Sequence, residues 1–333
     1  MAARTLLRID AGTARIRVMM PRKGLVLDEP NVCIYNQREQ SYTHVGSSAL
    51  AKSHRLNRNE QLIWGFKHGV IADYEATKAI VTFALRQVLP RVLLVKPDAI
   101  VTLAGAANST ERKAWLDALQ DCGVRQSYIL PSAYAAALGS GIALTEPHGS
   151  MMFHLGAGTM EVAIFSLGEI IHSASLRIGG DDLDDALQQR IQRLYGVTIP
   201  VHEARKFKES RLRILAEKPV PAIQLKGLLV NKGTTKKINA KNEEIVPAFE
   251  NFIEPLIRAT KHIIDQASPE LISDIIEDGV LISGGLANIP GLARYLSKKL
   301  KLSCVVSDEP VLAPIRGLNL AATHVADFQR QEL

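Results

Sequence analysis

Three short runs carry residues whose types and spacing could do chemistry. Asp10-Ala11-Gly12-Thr13, Gly156-Ala157-Gly158-Thr159 and Gly284-Gly285 each set small residues at the end of a β-rich segment. Glycine lets backbone N–H groups approach an anion with no Cβ in the way, and successive N–H groups form a nest for phosphate. The threonine hydroxyls add donors. Asp10 is placed to hold a divalent cation, directly or through water, opposite such phosphates. Any one run alone reads as a tight turn, but three of them together favour a phosphate site.

The elements that position these runs show an internal echo. Residues 6–18 and 151–164 both read as β-rich run, glycine turn, β-rich run, which is a hairpin pattern. They lie about 145 residues apart, a separation that indicates a duplicated domain and not a solenoid. After the first hairpin, Ala76–Val88 has helical spacing and Ala99–Leu103 reads as a buried strand. Ser109–Gln120 reads as a helix opening on a Ser/Thr cap, Gln126–Ile129 as a strand, and Ser132–Gly139 as a small-residue helix packed closely on a neighbour. After the second hairpin, Asp181–Tyr195 is amphipathic, with Leu183, Leu187, Ile191 and Leu194 expected on one face. Val246–Gln266 reads as a long helix interrupted near Pro255. Gly279–Ser283, Gly284-Gly285 and Gly291–Leu300 read as strand, turn and helix. Strands alternating with helices argue for α/β layers.

Composition narrows the classes. The chain has 333 residues, 47% apolar and 22% charged, enough for two domains or one bilobal unit and unlike a fibrous, disordered or disulfide-stapled chain. Cys33, Cys122 and Cys304 are scattered and offer neither a disulfide framework nor a CxxC metal site, which points to a reducing cytoplasm. The N-terminus shows no secretory pattern, and the apolar run from Val88 to Leu103 is broken by Pro90, Arg91, Lys96, Pro97 and Asp98. No Walker A lysine, GxGxxG, HExxH or GxSxG occurs. The net charge of +6 is local: residues 201–241 hold eleven Lys/Arg against three Glu, a surplus of +8 that leaves −2 for the rest. Such a segment is a solvated face, or a surface for anionic lipid headgroups, an acidic neighbouring subunit or an acidic partner. With Phe207 its only aromatic, nucleic acid is not expected.

The three loops, in this order, resemble the phosphate-1, phosphate-2 and adenosine motifs of the actin–Hsp70–sugar kinase superfamily, and specifically its MreB branch. Gly24–Pro30, Gly69–Glu75, Thr145–Ser150, Gly179-Gly180-Asp181, Ser268-Pro269-Glu270-Leu271 and Asp308-Glu309-Pro310 extend the likeness over nearly the whole chain. The resemblance implies an actin-like two-domain, four-subdomain α/β ATPase fold with a nucleotide cleft between two duplicated domains. The subdomains would be 1–29 with 69–138 and 313–333, 30–68, 139–179 with 247–312, and 180–246.

It further implies ATP or ADP with Mg²⁺, the metal managed by Asp10 through water. The nucleotide contacts would be Asp10, Gly12, Thr13, Ala14, Arg15, Gly156, Ala157, Gly158, Thr159, Arg205, Lys208, Gly284, Gly285, Leu286 and Ala287. The implied role is a filament-forming homopolymer in cell-shape control, cytoplasmic and at the inner face of the membrane. Cell-wall or shape-control membrane proteins would be its partners. Membrane contact is expected at Leu89–Val95, which reads equally as a buried connector. The alternative reading on this fold is a small-molecule kinase-like phosphotransferase.

Five departures stand out against the family pattern. Arg15 replaces an Asn in the first loop and either adds a phosphate contact or points outward. His154 stands where the second loop has Asp. Ser132 stands where the family carries the Glu that positions the hydrolytic water, and Arg205 reverses the first charge of the family's Glu-x-x-Lys, leaving Lys208. Leu286 replaces a third Gly and tightens or obstructs the purine pocket. A serine orients and deprotonates water poorly, and general-base help is worth about 10²–10⁴ in rate, so ATP hydrolysis is expected to be slow at most unless neighbours compensate.

Overall fold

Alternating burial builds both hairpins. In the computed structural model, which describes residues 5–89, 95–230 and 234–323, β1 (Leu6–Ala11) and β2 (Arg15–Met20) pair antiparallel with Asp10 opposite Arg17 and Ala11 opposite Ile16. Farther on, β11 (Ser150–Leu155) and β12 (Met160–Ser166) pair with His154 opposite Glu161 and Leu155 opposite Met160. Their turns close alike: Gly12 N–H donates to the Arg15 carbonyl at 3.0 Å, and Gly156 N–H to the Thr159 carbonyl at 2.8 Å.

The chain divides into two units, residues 1–143 with 312–333, and 144–311. In the first, β3 (Gly24–Pro30) extends the hairpin, and β9 (Asp98–Leu103) and β10 (Gln126–Pro131) add in parallel, giving the sheet order β3-β2-β1-β9-β10. In the second, β13 (Glu169–Leu176), β17 (Val280–Ser283) and β18 (Cys304–Val306) give β13-β12-β11-β17-β18. The two sheets repeat one topology, a three-strand meander followed by two parallel strands. That is the duplication expected from the echo, and the parallel strands place each glycine loop at a strand end.

Each unit also carries a smaller sheet. In the first, β4 (Val32–Asn36) lies between β5 (Ser41–Val45) and β6 (Glu60–Trp64), followed by the two-residue pair β7 (Phe66–Lys67) and β8 (Val70–Ile71). In the second, β15 (Ile223–Leu229) lies between β14 (Val197–Thr198) and β16 (Thr235–Ala240).

The helices of the first unit are α1 (Ser47–Lys52), α2 (Tyr74–Val88), α3 (Ser109–Asp121) and α4 (Ser132–Gly139), joined by the returning α10 (Ala313–Ala321). Asn108 and not a Ser/Thr caps α3: its side chain accepts from Glu111 N–H while Glu111 accepts from Asn108 N–H, a closed capping box. The small residues of α4 do mark a close approach. A Cβ on Gly139 would lie 1.8 Å from the Ala313 carbonyl, and one on Gly317 would lie 1.7 Å from the Ala135 carbonyl.

The second unit holds α5 (Gly180–Tyr195), α6 (Val201–Ser210), α7 (Asn242–Gln266), α8 (Pro269–Asp278) and α9 (Leu292–Leu300). Leu183, Leu187 and Ile191 of α5 enter its core, whereas Leu194, in the last turn, is exposed and Tyr195 packs on the core instead. The interruption expected near Pro255 does not occur. α7 runs through both Pro247 and Pro255, with Phe252, Ile253, Leu256 and Ile257 buried. The carbonyl that Pro255 leaves without its helical donor belongs to Asn251, on the exposed side, where water can meet it.

Candidate functional site

In the first unit the glycine loop is held by its own neighbours. Thr13 is buried; its hydroxyl accepts from Gly69 N–H at 3.1 Å and its carbonyl accepts from Asn31 Nδ2 at 2.8 Å. Asn31 N–H donates to the Ala14 carbonyl at 3.0 Å. The loop is thus pinned at Thr13 and Ala14 by Asn31 and Gly69, which lie outside it in sequence.

Asp10 is buried and engaged on both oxygens. Thr102 Oγ1 donates to Oδ1 at 2.8 Å, and Arg17 Nη1 donates to Oδ2 at 3.1 Å. The Thr102 oxygen in turn accepts from Ala11 N–H at 3.2 Å. Arg17 Nε also lies 3.3 Å from Asp28 Oδ1, a charge contact without hydrogen-bond geometry. Arg15 turns to Asp28, donating through Nε to its carboxylate and through Nη2 to its carbonyl at 2.8 Å. Of the two readings of Arg15, the structure places its guanidinium on this neighbouring strand.

In the second unit the loop 156–159 meets three other segments. Gly180 N–H donates to the Gly156 carbonyl at 3.0 Å and Asp181 N–H to the Ala157 carbonyl at 2.8 Å, so the start of α5 docks on the loop. A Cβ on Gly179 would lie 2.4 Å from the Ala157 carbonyl, so only glycine fits there. A Cβ on Gly180 would lie 3.2 Å from Lys208 Nζ, 3.3 Å from Leu286 Cδ2 and 3.6 Å from Ala157 Cα. These atoms bring together Gly156, Ala157, Lys208 and Leu286, which the sequence scatters over 130 residues. Leu286 and Ala287 belong to the buried core of the unit.

Two cations of α6 share one buried acid. Lys208 Nζ donates to the Gly180 carbonyl at 2.6 Å and sits 2.7 Å from Asp184 Oδ1. Arg205 donates to Asp184 Oδ2 at 2.9 Å and to Asp181 Oδ1 at 2.7 Å. Burial works against the Arg205 charge, but the hydrogen bond to Asp184 and the charges of Asp181, Asp184 and Glu209 outweigh it and raise its pKa. Arg205, Lys208 and Arg213 are therefore engaged within the fold. Among the described residues of this segment, the exposed cations are Lys206, Arg211, Lys218, Lys226, Lys236, Lys237 and Lys241.

The third glycine pair is shaped by strand β11. Gly284 has φ +90, and a Cβ there would lie 2.3 Å from the Leu155 carbonyl; a Cβ on Gly285 would meet nothing within 4 Å. Gly284 is required by packing, and Gly285 opens onto free space. His154, in the place of the expected acid, meets Ser283 Oγ through Nδ1 at 3.3 Å. Because Ser283 Oγ donates its hydrogen to the Pro310 carbonyl, Nδ1 is the donor of that pair. Ser132 opens α4, whose first turn contains no acid.

Sequence reasoning missed Arg17, Asp28, Thr102, Asp184 and Ser283. A signal for Arg17 was present: counting back from the hairpin turn places it opposite Asp10, in a strand whose other neighbours are apolar. Asp184 gave none, since a helix with four Asp gives no sign of which one is buried. Leu89–Val95 was expected to meet the membrane, and residues 90–94 lie outside the described residues. Among those described, no helix is long and apolar enough to cross a membrane.

Comparison with known proteins decides the family. The model of the MreB/Mbl protein family matches residues 4–330. The chain belongs to the MreB/Mbl family. It is 29% identical to the cell shape-determining protein Mbl of Bacillus subtilis over 325 residues, 98% of each chain. It is 30% identical to the cell shape-determining protein MreB of Escherichia coli K12 over 335 residues, 98% of this chain and 96% of that one. MreB5 of Spiroplasma citri, solved bound to AMPPNP, superposes with a TM-score of 0.93 at 23% identity, covering both chains fully. A MamK double helical filament superposes with a TM-score of 0.81 at 18% identity, covering 96% of this chain and 99% of that one. The MreB/Mbl chain therefore has the expected actin-like two-domain α/β fold, and Ser132, His154 and Arg205 are features of a family member.

Proposed function

We propose that this MreB/Mbl chain binds ATP and ADP and polymerises into filaments that serve cell-shape control, hydrolysing ATP slowly at most. The observation that carries the reading is the repeated glycine hairpin, closed by the same hydrogen bond at Gly12 and at Gly156 in a chain of this family. In this proposal Gly12, Thr13 and Ala14 meet phosphate from one unit, and Gly156, Ala157, Gly158 and Thr159 from the other. Lys208, Gly284, Gly285, Leu286 and Ala287 border the adenosine. Arg15 and Arg205 act through their ion pairs, holding β2 to β3 and α6 to α5. The MreB5 bound to AMPPNP, and a second structure of it bound to ADP, support the choice of nucleotide; the MamK filament supports assembly.

The smaller sheets within 30–68 and 180–246 are the proposed subdomains. Attachment to the inner face of the cytoplasmic membrane, and shape-control membrane proteins as partners, belong to the same proposal on the strength of the family. Mg²⁺ does not fit beside Asp10 as expected: Arg17 donates to one carboxylate oxygen and Thr102 to the other, and a dication there would face the buried Arg17 charge. Ser132 in place of a carboxylate supports slow hydrolysis. Phosphate release from purified polymer tests this part. Release about 10²-fold below that of a polymer with the family Glu is expected, and an equal rate would overturn it.

A further inference from the structure

The disagreement at Asp10 has a structural cause, and the cause is Arg17. Register places Asp10, Arg17 and Asp28 side by side on β1, β2 and β3, and Thr102 of the adjacent β9 reaches Asp10 with its hydroxyl. Asp10 is the direct cross-strand partner of Arg17, and Arg17 of Asp28. Opposite charges facing each other across strands stabilise the pairing. Here Arg17 and Asp10 are also both below a tenth exposed, so water screens them little. The Thr102 hydroxyl donates to the other Asp10 oxygen, and its own oxygen is held by Ala11 N–H, the residue before Gly12. The network ends at the glycine loop and leaves a guanidinium, fixed in place, at the foot of it.

A loop that gathers backbone N–H groups around phosphates must still offset the negative charge of a carboxylate beneath them. A divalent cation is one way to do this. A buried arginine is another, because its charge is permanent and its planar fork is already oriented. We propose that Arg17 is the built-in counter-ion of the first phosphate loop, a positioning residue for Asp10, and that this chain binds its nucleotide with an affinity independent of Mg²⁺. The inference rests on the nucleotide-binding reading above and deepens it.

Equilibrium binding of a fluorescent ADP to the full chain, in Mg²⁺ and in EDTA, tests it. The wild-type dissociation constants are expected to agree within about threefold, and a loss of about tenfold or more in EDTA overturns the proposal. In Arg17→Met, whose side chain fills similar space without charge, Mg²⁺ dependence should appear, with affinity in EDTA about tenfold below that in Mg²⁺. A variant as Mg²⁺-independent as the wild type assigns Arg17 a purely structural role and also overturns the proposal. Arg17→Lys, which keeps the charge, should stay Mg²⁺-independent. If Arg17→Met does not fold, the wild-type comparison and Arg17→Lys still decide the matter. No binding in either medium defeats the nucleotide reading itself, an outcome distinct from Mg²⁺-dependent binding.

Discussion

Ser132 begins α4, whose first turn supplies no carboxylate, and the proposed slow hydrolysis rests on that. Ser132→Glu should therefore raise phosphate release, by about 10²-fold if general-base help is the missing part. An unchanged rate in a variant that still assembles would locate the limitation elsewhere. A second residue-scale expectation concerns His148, which lies 2.8 Å from Asp278 and 3.4 Å from Asp274. The hydrogen bond to Asp278 is the main cause raising its pKa above the ordinary 6.5, with the Asp274 charge adding to it. A raised folded-state value means that protonation favours the fold. The contribution is complete below about 6.5 and is lost as pH rises through the folded value. Thermal melts of the wild type and His148→Gln should differ most at acid pH and converge as pH rises. A gap that widened with pH would contradict this. His148 was quoted in the sequence only as part of a matching segment; its partners come from α8, 126 and 130 residues on, and no local pattern announces them.

Among the elements, helix packing and strand pairing each make an expectation. Where α4 crosses α10, Gly139 and Gly317 leave no room for a Cβ against facing backbone carbonyls. Gly139→Ala should destabilise by about 1–3 kcal/mol through overpacking, read as a lower denaturant midpoint. On the smaller sheet of the second unit, Lys226 and Lys237 face each other directly across β15 and β16, and both are exposed. Like charges there cost stability, so Lys237→Glu should stabilise by about 0.2–1 kcal/mol at low salt, with the gain shrinking as salt is added. The elements themselves were largely legible. Both hairpins, α2, the close-packed α4 and the strand–Gly-Gly–helix unit follow from periodicity and small residues. Two details went the other way, one for a local reason and one through tertiary packing. The Asn108 cap won over Ser109 because Glu111 could close the box, and α7 ran through Pro255 because core packing on its apolar face outweighed the lost hydrogen bond.

For the whole molecule, duplication is the governing fact. Two sheets with one topology, β3-β2-β1-β9-β10 and β13-β12-β11-β17-β18, each present a glycine hairpin turn closed by the same bond. Of the expected site residues, Asp10 and the glycines and threonines were read from the loops themselves, and Arg15, Ser132, Arg205, Lys208 and Leu286 from the resemblance. Of the residues that hold them, Arg17 was signalled by the hairpin register, whereas Thr102 and Asp184 became visible only when strands and helices were brought side by side. Net charge proved the weakest guide: +6 came down to one segment, and three of that segment's cations are spent inside the fold. Whether the chain is a nucleotide-binding filament protein is decided by sedimentation of the purified full chain with ATP, with ADP and without nucleotide, followed by electron microscopy of the pellets. Nucleotide-dependent pelleting, with filaments in the pellet, is expected. A chain that stayed in the supernatant in all three states, or pelleted only as amorphous aggregate, would contradict it.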